Sequence, residues 1–504
     1  MKRTQTLNLC LADRRNVKFM SLKISINFVR LKHTLVSTFQ RLKMEGMSNE
    51  YTEVYRRLPL KLQLTYGVGH VLNDVCASMW FTYLLVFFHY VLQFSNFQTG
   101  LMLLIGQVAD ALSTPFVGYH SDQSGGSWIC NYGKRKTWHL LGTICVIGTF
   151  PFIFSECLGC SNSHNSAEVF YYSMFIIIFQ FGWAAVQISH LSLIPELTPN
   201  DHDRTKLTAV RYCFTVISNV LVYVITWIVL HIHNGDSSKI GPGDEPKFQL
   251  VVLSVFGVGI LCSTIFHFFV KEESNGAGHD VRGTQVRTSI SDLLRKSTIY
   301  RIGVVYMSSR LFVNLSQVFI PLYLHETLDS AASSLALVPL VMFIGSFVAS
   351  LFIEWINRHL GRKLTYILGT IFGLVGCIWI KFGYGENYIN YCIYAVAILI
   401  GAGGSIVLVT SLGITTDFIG EDTHNGAFVY GVMSFIDKLA NGIAVVIIQY
   451  LHNDKSNINF YREVLTYVCG GSIVLGGVAV IACFYNSRRT RIVYESIPND
   501  STIN

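Results

Sequence analysis

Three cations and three carboxylates fall deep inside long apolar stretches of this chain: Arg211, Arg310 and Lys438, and Asp74, Asp110 and Asp437. A charge at the centre of a bilayer costs about 2.5–3.5 kcal/mol or more, so such groups are functional candidates by default. Their chemistry is that of a binding site. A cation receives a carboxylate, and an aspartate receives an ammonium or a proton. The spacing sets several of them on shared helical faces. Tyr66, His70 and Asp74 are four residues apart; Gln107, Asp110 and Thr114 form a second stripe. Arg211 with Thr215 and Ser218, and Arg310 with Asn314 and Gln317, form two more. Ser434, Asp437, Lys438 and Asn441 form the last. Adjacent residues differ by about 100° around a helix, so one of Asp437 and Lys438 is expected to face a cavity. The expected substrate-binding set is Arg211, Arg310, Asn314, Gln317, Lys438 and Asp74, with Asp110 and His70 in coupling. The bland reading is that such groups pair with one another and only hold helices together. It is preferred for Glu354 and for Glu196 with Arg204, at helix ends, where they would latch a gate. Asp122, Lys134, Arg135 and Arg362 complete the expected gate set.

The elements that must position these groups are membrane helices. Hydrophobic residues make up 51% of 504 and charged residues 14%, against about 25% charged in a soluble protein. Spans are expected near 64–88, 98–118, 138–157, 169–193, 207–230 and 249–270, then 298–323, 334–356, 364–382, 390–415, 427–450 and 463–485. This is an all-α membrane protein with twelve transmembrane helices in two six-helix halves, 61–270 and 297–485. A polar linker, 271–296, joins them. Residues 1–60 read as a basic, disordered cytosolic leader and 486–504 as a cytosolic tail. Sixteen Lys and Arg lie in one set of loops and four in the other. The basic side is expected to be cytosolic, with both termini. The net charge of +7 follows from this topology, so no nucleic-acid partner is expected. The loops Gly133-Lys-Arg-Lys136 and Gly361-Arg-Lys363 occupy matching places in the two halves. Such repeats mark carriers that rock one half against the other around a midplane site.

Other chemistry is not supported. There is no nucleotide-binding loop, no zinc-protease motif and no serine-nucleophile elbow, so no enzyme is expected. No cofactor or metal is called for. Cys157-Leu-Gly-Cys160 reads as a loop disulfide or two free thiols.

Three stretches resemble the glycoside–pentoside–hexuronide:cation symporter branch of the major facilitator superfamily. They are Gln107-Val-Ala-Asp110-Ala-Leu-Ser-Thr-Pro115 with Gly118, Gly133-Lys-Arg-Lys-Thr-Trp138, and Leu193-Ile-Pro-Glu-Leu-Thr-Pro199 running to Arg211. Two longer blocks, Gly69 to Tyr83 and Asn425 to Gly442, resemble the family of major facilitator superfamily domain-containing protein 12. That family is associated with lysosomes and melanosomes and with importing cysteine into them. The resemblance covers about 60–490. It implies two pseudo-symmetric six-helix bundles, a small-molecule substrate with cysteine foremost, coupling to protons, a monomer in the lipid bilayer, and a lysosomal or late-endosomal membrane. Where the sugar symporters carry three acids, this chain has Asp110, Thr114 and Gln187. A lone aspartate suits a proton better than sodium. Phe428 and Tyr430 stand where the symporters usually have an Arg and a Glu, whereas Arg211 and Lys438 are retained. Tyr55-Arg-Arg-Leu58 and Tyr494-Glu-Ser-Ile497 fit endosomal sorting motifs. The competing readings are a proton-coupled sugar or lysolipid symporter and a non-transporting scaffold or receptor.

Overall fold

The computed structural model describes residues 58–123, 132–160, 165–198, 201–234, 239–272, 295, 297–419, 426–452 and 457–495. The leader and most of the linker lie outside the described residues. The described residues form helices and short turns without strands. The helices of the first half are α1 (Leu60–Val91), α2 (Asn96–Gln123), α3 (Lys134–Ile153), α4 (Asn165–Ser192), α5 (Asp201–Asn234) and α6 (Glu245–Phe269). Those of the second half are α7 (Ser297–Leu322), the pair α8 and α9 within Ser334–Phe382, α10 (Ile393–Ile419), α11 (Gly426–Leu451) and α12 (Gly470–Glu495). The segment Ser334–Phe382 runs for 49 residues. At 1.5 Å per residue a straight helix of that length would be about 70 Å long, twice what a bilayer needs. It is broken at Gly361, whose φ of 76° and ψ of 158° are not helical. That break divides α8 from α9. Gly133, in the matching loop of the first half, also has a positive φ, 115°.

Among the described residues, nine helical segments are long and apolar enough to cross a membrane, the segment Ser334–Phe382 being one of them. Counting its two limbs gives ten crossings. The other two, α3 and α7, have 20 and 26 residues. The twelve helices coincide with the spans read from hydropathy, except that α12 continues to Glu495. The large apolar side chains left outside, such as Leu112, Ile144, Leu253, Leu261, Leu351 and Trp355, face the lipid.

The two halves meet along three helix pairs: α1 with α7, α2 with α11, and α5 with α8. Helices two and five of one half pack on helices five and two of the other, which is the pairing a pseudo-twofold axis produces. Every stripe of ionisable residues lies on one of these interface helices.

The two ends of the interface differ. At the end opposite the basic loops, Tyr90 donates to Glu326 Oε1 at 2.7 Å, Thr327 donates to the Ile458 carbonyl, and His325 meets the Ile240 carbonyl at 3.1 Å. Asn96 bonds to His452 through both its ring and its carbonyl, and Lys239 pairs with Asp329. All of these but the Thr327 bond tie one half to the other. At the basic end, the ion pairs among the described residues join groups of the same half.

Candidate functional site

The first element of the site is built on a local irregularity. A single 3-10 turn, Val68–His70, interrupts α1 and leaves His70 as the cap of the helix that follows. His70 Nδ1 lies 2.9 Å from Asp74 Oδ1, and Arg211 Nη2 lies 2.9 Å from His70 Nε2. A guanidinium only donates, so Nε2 accepts and Nδ1 carries the proton that bonds Asp74. The imidazole is therefore neutral and relays between cation and acid. Thr215 donates to the second oxygen, Asp74 Oδ2, at 3.0 Å. Arg211 Nε is buried with no hydrogen-bond partner.

The second element crosses between the halves. Lys438 Nζ on α11 is 2.7 Å from Asp110 Oδ1 on α2 and donates to Thr114 at 2.9 Å. Thr114 in turn donates to the same Asp110 Oδ1. Lys438 also lies 5.9 Å above the Trp183 ring.

The third element belongs to the second half. Arg310 Nε stands 3.8 Å from Asp437 Oδ2 without forming a hydrogen bond, and Arg310 Nη2 donates to Tyr306. Asn441 donates to Asp437. The expectation that one of Asp437 and Lys438 faces inward is corrected here. Because α11 packs against both α2 and α7, neighbours about 100° apart each find a partner, Lys438 on α2 and Asp437 on α7. Gln317 reaches across to Thr82 and Tyr223, and Asn314 is half-buried between it and Arg310.

Three cations thus face three acids. With all ionised and His70 neutral the interior is balanced, and one proton on an aspartate leaves a net charge of +1. Two of the cations keep a nitrogen that makes no hydrogen bond. Chemically, the arrangement can take a carboxylate on its arginines and move a proton on its aspartates. Among the described residues no cluster of metal-ligating side chains occurs. Cys157 and Cys160 are joined as a disulfide.

The expected gate residues are only partly brought together. Arg135 pairs with Glu196 at 3.1 Å and donates to Ser121. Arg204 bonds the Thr198 carbonyl, so the expected Glu196–Arg204 contact is replaced by Glu196–Arg135. Lys134 opens α3. Arg362 pairs with Asp417 at 2.7 Å on α10. Glu354 is 90% exposed and pairs with Arg358 one turn away at 3.7 Å, so it does not meet Arg362 as expected. The side chains of Asp122, Phe428 and Tyr430 lie outside the described residues. Sequence reasoning missed Asp417, the Tyr90–Glu326–His452 cluster, and Glu272. The last had been placed in the linker, yet its carboxylate accepts the backbone N–H groups of Arg135 and Lys136 at 3.1 and 2.9 Å. An acid at the first turn after a span end was the available signal for Glu272. No local signal marks Glu326, whose partner is 236 residues away.

Comparison with known proteins places the chain in a family. The model of the family described as "MFS/sugar transport protein" matches residues 65–453. The chain is 44% identical over 454 residues to major facilitator superfamily domain-containing protein 12 of Homo sapiens, covering 85% of this chain and 93% of that one. It is 23% identical over 405 residues to the isoprimeverose transporter of Lactiplantibacillus pentosus, covering 77% and 78% of the two chains. Among solved structures, a D-xylose-proton symporter superposes with a TM-score of 0.63 at 15% identity, covering 83% of this chain and 96% of that one. A mutant of the nucleoside transporter NupG does so with a TM-score of 0.62 at 12% identity, covering 84% and 100%.

Proposed function

The chain belongs to the MFS/sugar transport protein family, and within it to the group of major facilitator superfamily domain-containing protein 12; from that premise we propose that this secondary transporter imports cysteine into lysosomes or related organelles by proton-coupled alternating access. The observation that carries the reading is the balanced set of three cations and three acids at the interface of the halves, with a guanidinium nitrogen on Arg211 and another on Arg310 that make no hydrogen bond.

A zwitterion suits this set. Its carboxylate goes to Arg211 and Arg310, and its ammonium to Asp74. Lys438 and Asp110 form the coupling pair. A proton on Asp110 removes its charge, frees Lys438, and leaves the positive surplus that attracts the carboxylate. Leaving a buried cation unpaired is costly, so proton binding and carboxylate binding favour each other. Alternating access follows from the contrast between the two ends: the end opposite the basic loops is tied across the halves, and the pairs Arg135–Glu196, Lys206–Asp203 and Arg362–Asp417 at the basic end each lie within one half. With the basic loops in the cytosol, this is a cytosol-facing state. The halves 61–270 and 297–485 would rock about the paired helices, with Arg135–Glu196 and Arg362–Asp417 re-forming partners as the cytosolic end closes. The monomer is the working unit.

The names of the bacterial relatives favour a second reading, a proton-coupled sugar symporter. A sugar carries no charge and would leave the balanced interior as it is. Ligand binding separates the two, because a ligand that binds only the folded state raises thermal stability by RT ln(1 + [L]/Kd). Purified protein should melt several degrees higher with millimolar cysteine and be unmoved by xylose or glucose. Stabilisation by a sugar with none by cysteine would reverse the assignment.

A further inference from the structure

Beside Asp110, between α1, α2 and α4, lies a small recess that the transport reading leaves unused. Its polar lining is Gln107, Gln180, Trp80 and Asp110. Gln107 and Gln180 are each 3% exposed and Trp80 2%. Trp80 Nε1 is buried with no hydrogen-bond partner, and the Gln107 and Gln180 side chains line the same space. Burying such an N–H unpaired costs about 1–3 kcal/mol, so the recess is built for a polar occupant. The cavity volume is about 10 Å³, room for about one water. Gly106 helps to make it. A Cβ there would lie 2.4 Å from the Trp80 ring and 3.2 Å from the Gln180 amide.

The hydrogen bonds of Asp110 are lopsided. Oδ1 receives both Lys438 and Thr114. Oδ2 receives no bond among the described residues, and Asp110 is one of the residues lining the recess. The other charged groups around Asp110 are Lys438 and Asp437 from α11, with Arg310 of α7 behind Asp437. The neighbours from α1 and α4 are Ala77 and aromatic or amide side chains, none of which titrates. Gln107 lies one turn beyond Asp110 toward the end of α2 opposite the basic loops, so the recess approaches Asp110 from that end.

We propose that this recess is a water site that delivers protons to Asp110 Oδ2, the water being held by the Gln107 and Gln180 amides and the Trp80 N–H. A proton entering as hydronium passes to Oδ2 and leaves neutral water behind. Asp110 becomes a neutral carboxyl, and the Lys438 ammonium loses its counter-charge. The inference rests on the coupling role given to Asp110 above.

Its test reads the carboxyl itself. Infrared spectra of the purified protein, with the band of protonated Asp110 assigned by its loss in Asp110→Asn, give its hydrogen–deuterium exchange rate. The Gln107→Leu/Gln180→Leu variant should slow that exchange by about a hundredfold. Trp80→Phe, which keeps a ring and removes the N–H, should slow it in the same direction. Exchange as fast as wild type in both variants would overturn the proposal, as would a wild-type Asp110 that shows no protonated band at any pH. Should Asp110→Asn keep its response to a pH gradient, the coupling reading fails separately, whatever the exchange rates show.

Discussion

Lys438 and Asp110 belong to opposite halves of the molecule and stand 2.7 Å apart. A buried ion pair gives little net stability, but removing one partner strands the other and costs about 3–5 kcal/mol. The pair is therefore a switch that a proton can open. Asp110→Asn should make uptake independent of an imposed pH gradient. Lys438→Ala should abolish uptake, and the double variant should melt closer to wild type than either single variant. The check is gradient-driven uptake in liposomes together with melting temperatures. Unaltered coupling in Asp110→Asn would move the proton to Asp74 or His70.

The relay of Arg211 through His70 to Asp74 depends on a planar guanidinium reaching an imidazole nitrogen at 2.9 Å. Arg211→Lys keeps the charge and loses that geometry. Losing one charge-assisted hydrogen bond of about 1.5–3 kcal/mol corresponds to roughly a 10- to 150-fold rise in substrate KM. Protein abundance should stay near normal. A KM within twofold of wild type would place the substrate carboxylate elsewhere.

The end opposite the basic loops should loosen in acid. Burial, and then the charge of the neighbouring His89, hold His452 at about 4, below its usual 6.5. Its Nδ1 meets the Asn96 amide N–H₂, which donates, so the ring is held neutral. A group with a lowered pKa contributes fully above about 6.5 and loses that contribution as pH falls through about 4. Distances between spin labels on Gln93 and Ser330 should therefore lengthen across that window. In His452→Gln the pH dependence should flatten. An unchanged distance profile in the variant would assign the response to another group.

Glu272 closes the exposed N-terminus of α3 by accepting two backbone N–H groups. Losing such a cap costs about 0.5–2 kcal/mol. Glu272→Ala should lower the melting temperature by a few degrees and shift Arg135–Glu196, which sits on the same turn. Glu272→Asp should recover part of the loss. A melting temperature equal to wild type in Glu272→Ala would show that the contact carries no stability.

The helices and their interface stripes were legible in the sequence because lipid permits few ionisable groups, and each of these marks a face turned inward. Asp74, Asp110, Arg211, Arg310 and Lys438 stand out for that reason. Who meets whom was less legible. Asp437 and Lys438 share a helix but serve different neighbours, a consequence of α11 lying between α2 and α7. Glu354 looked like the partner of Arg362 because it is near in sequence, yet the break at Gly361 turns Arg362 toward Asp417 of α10. The Tyr90–Glu326 contact spans 236 residues, and only the docking of the two halves creates it.

The central claim is that the balanced charges receive a zwitterion together with a proton. Uptake of labelled cysteine into liposomes holding the purified wild-type protein tests this most directly, with the pH gradient imposed in each direction and with xylose and cysteamine as competitors. Cysteine should accumulate only along the favourable gradient. Xylose should not compete, and cysteamine, which lacks the carboxylate, should compete poorly. Cysteine uptake indifferent to the gradient, or full competition by xylose, would contradict the account.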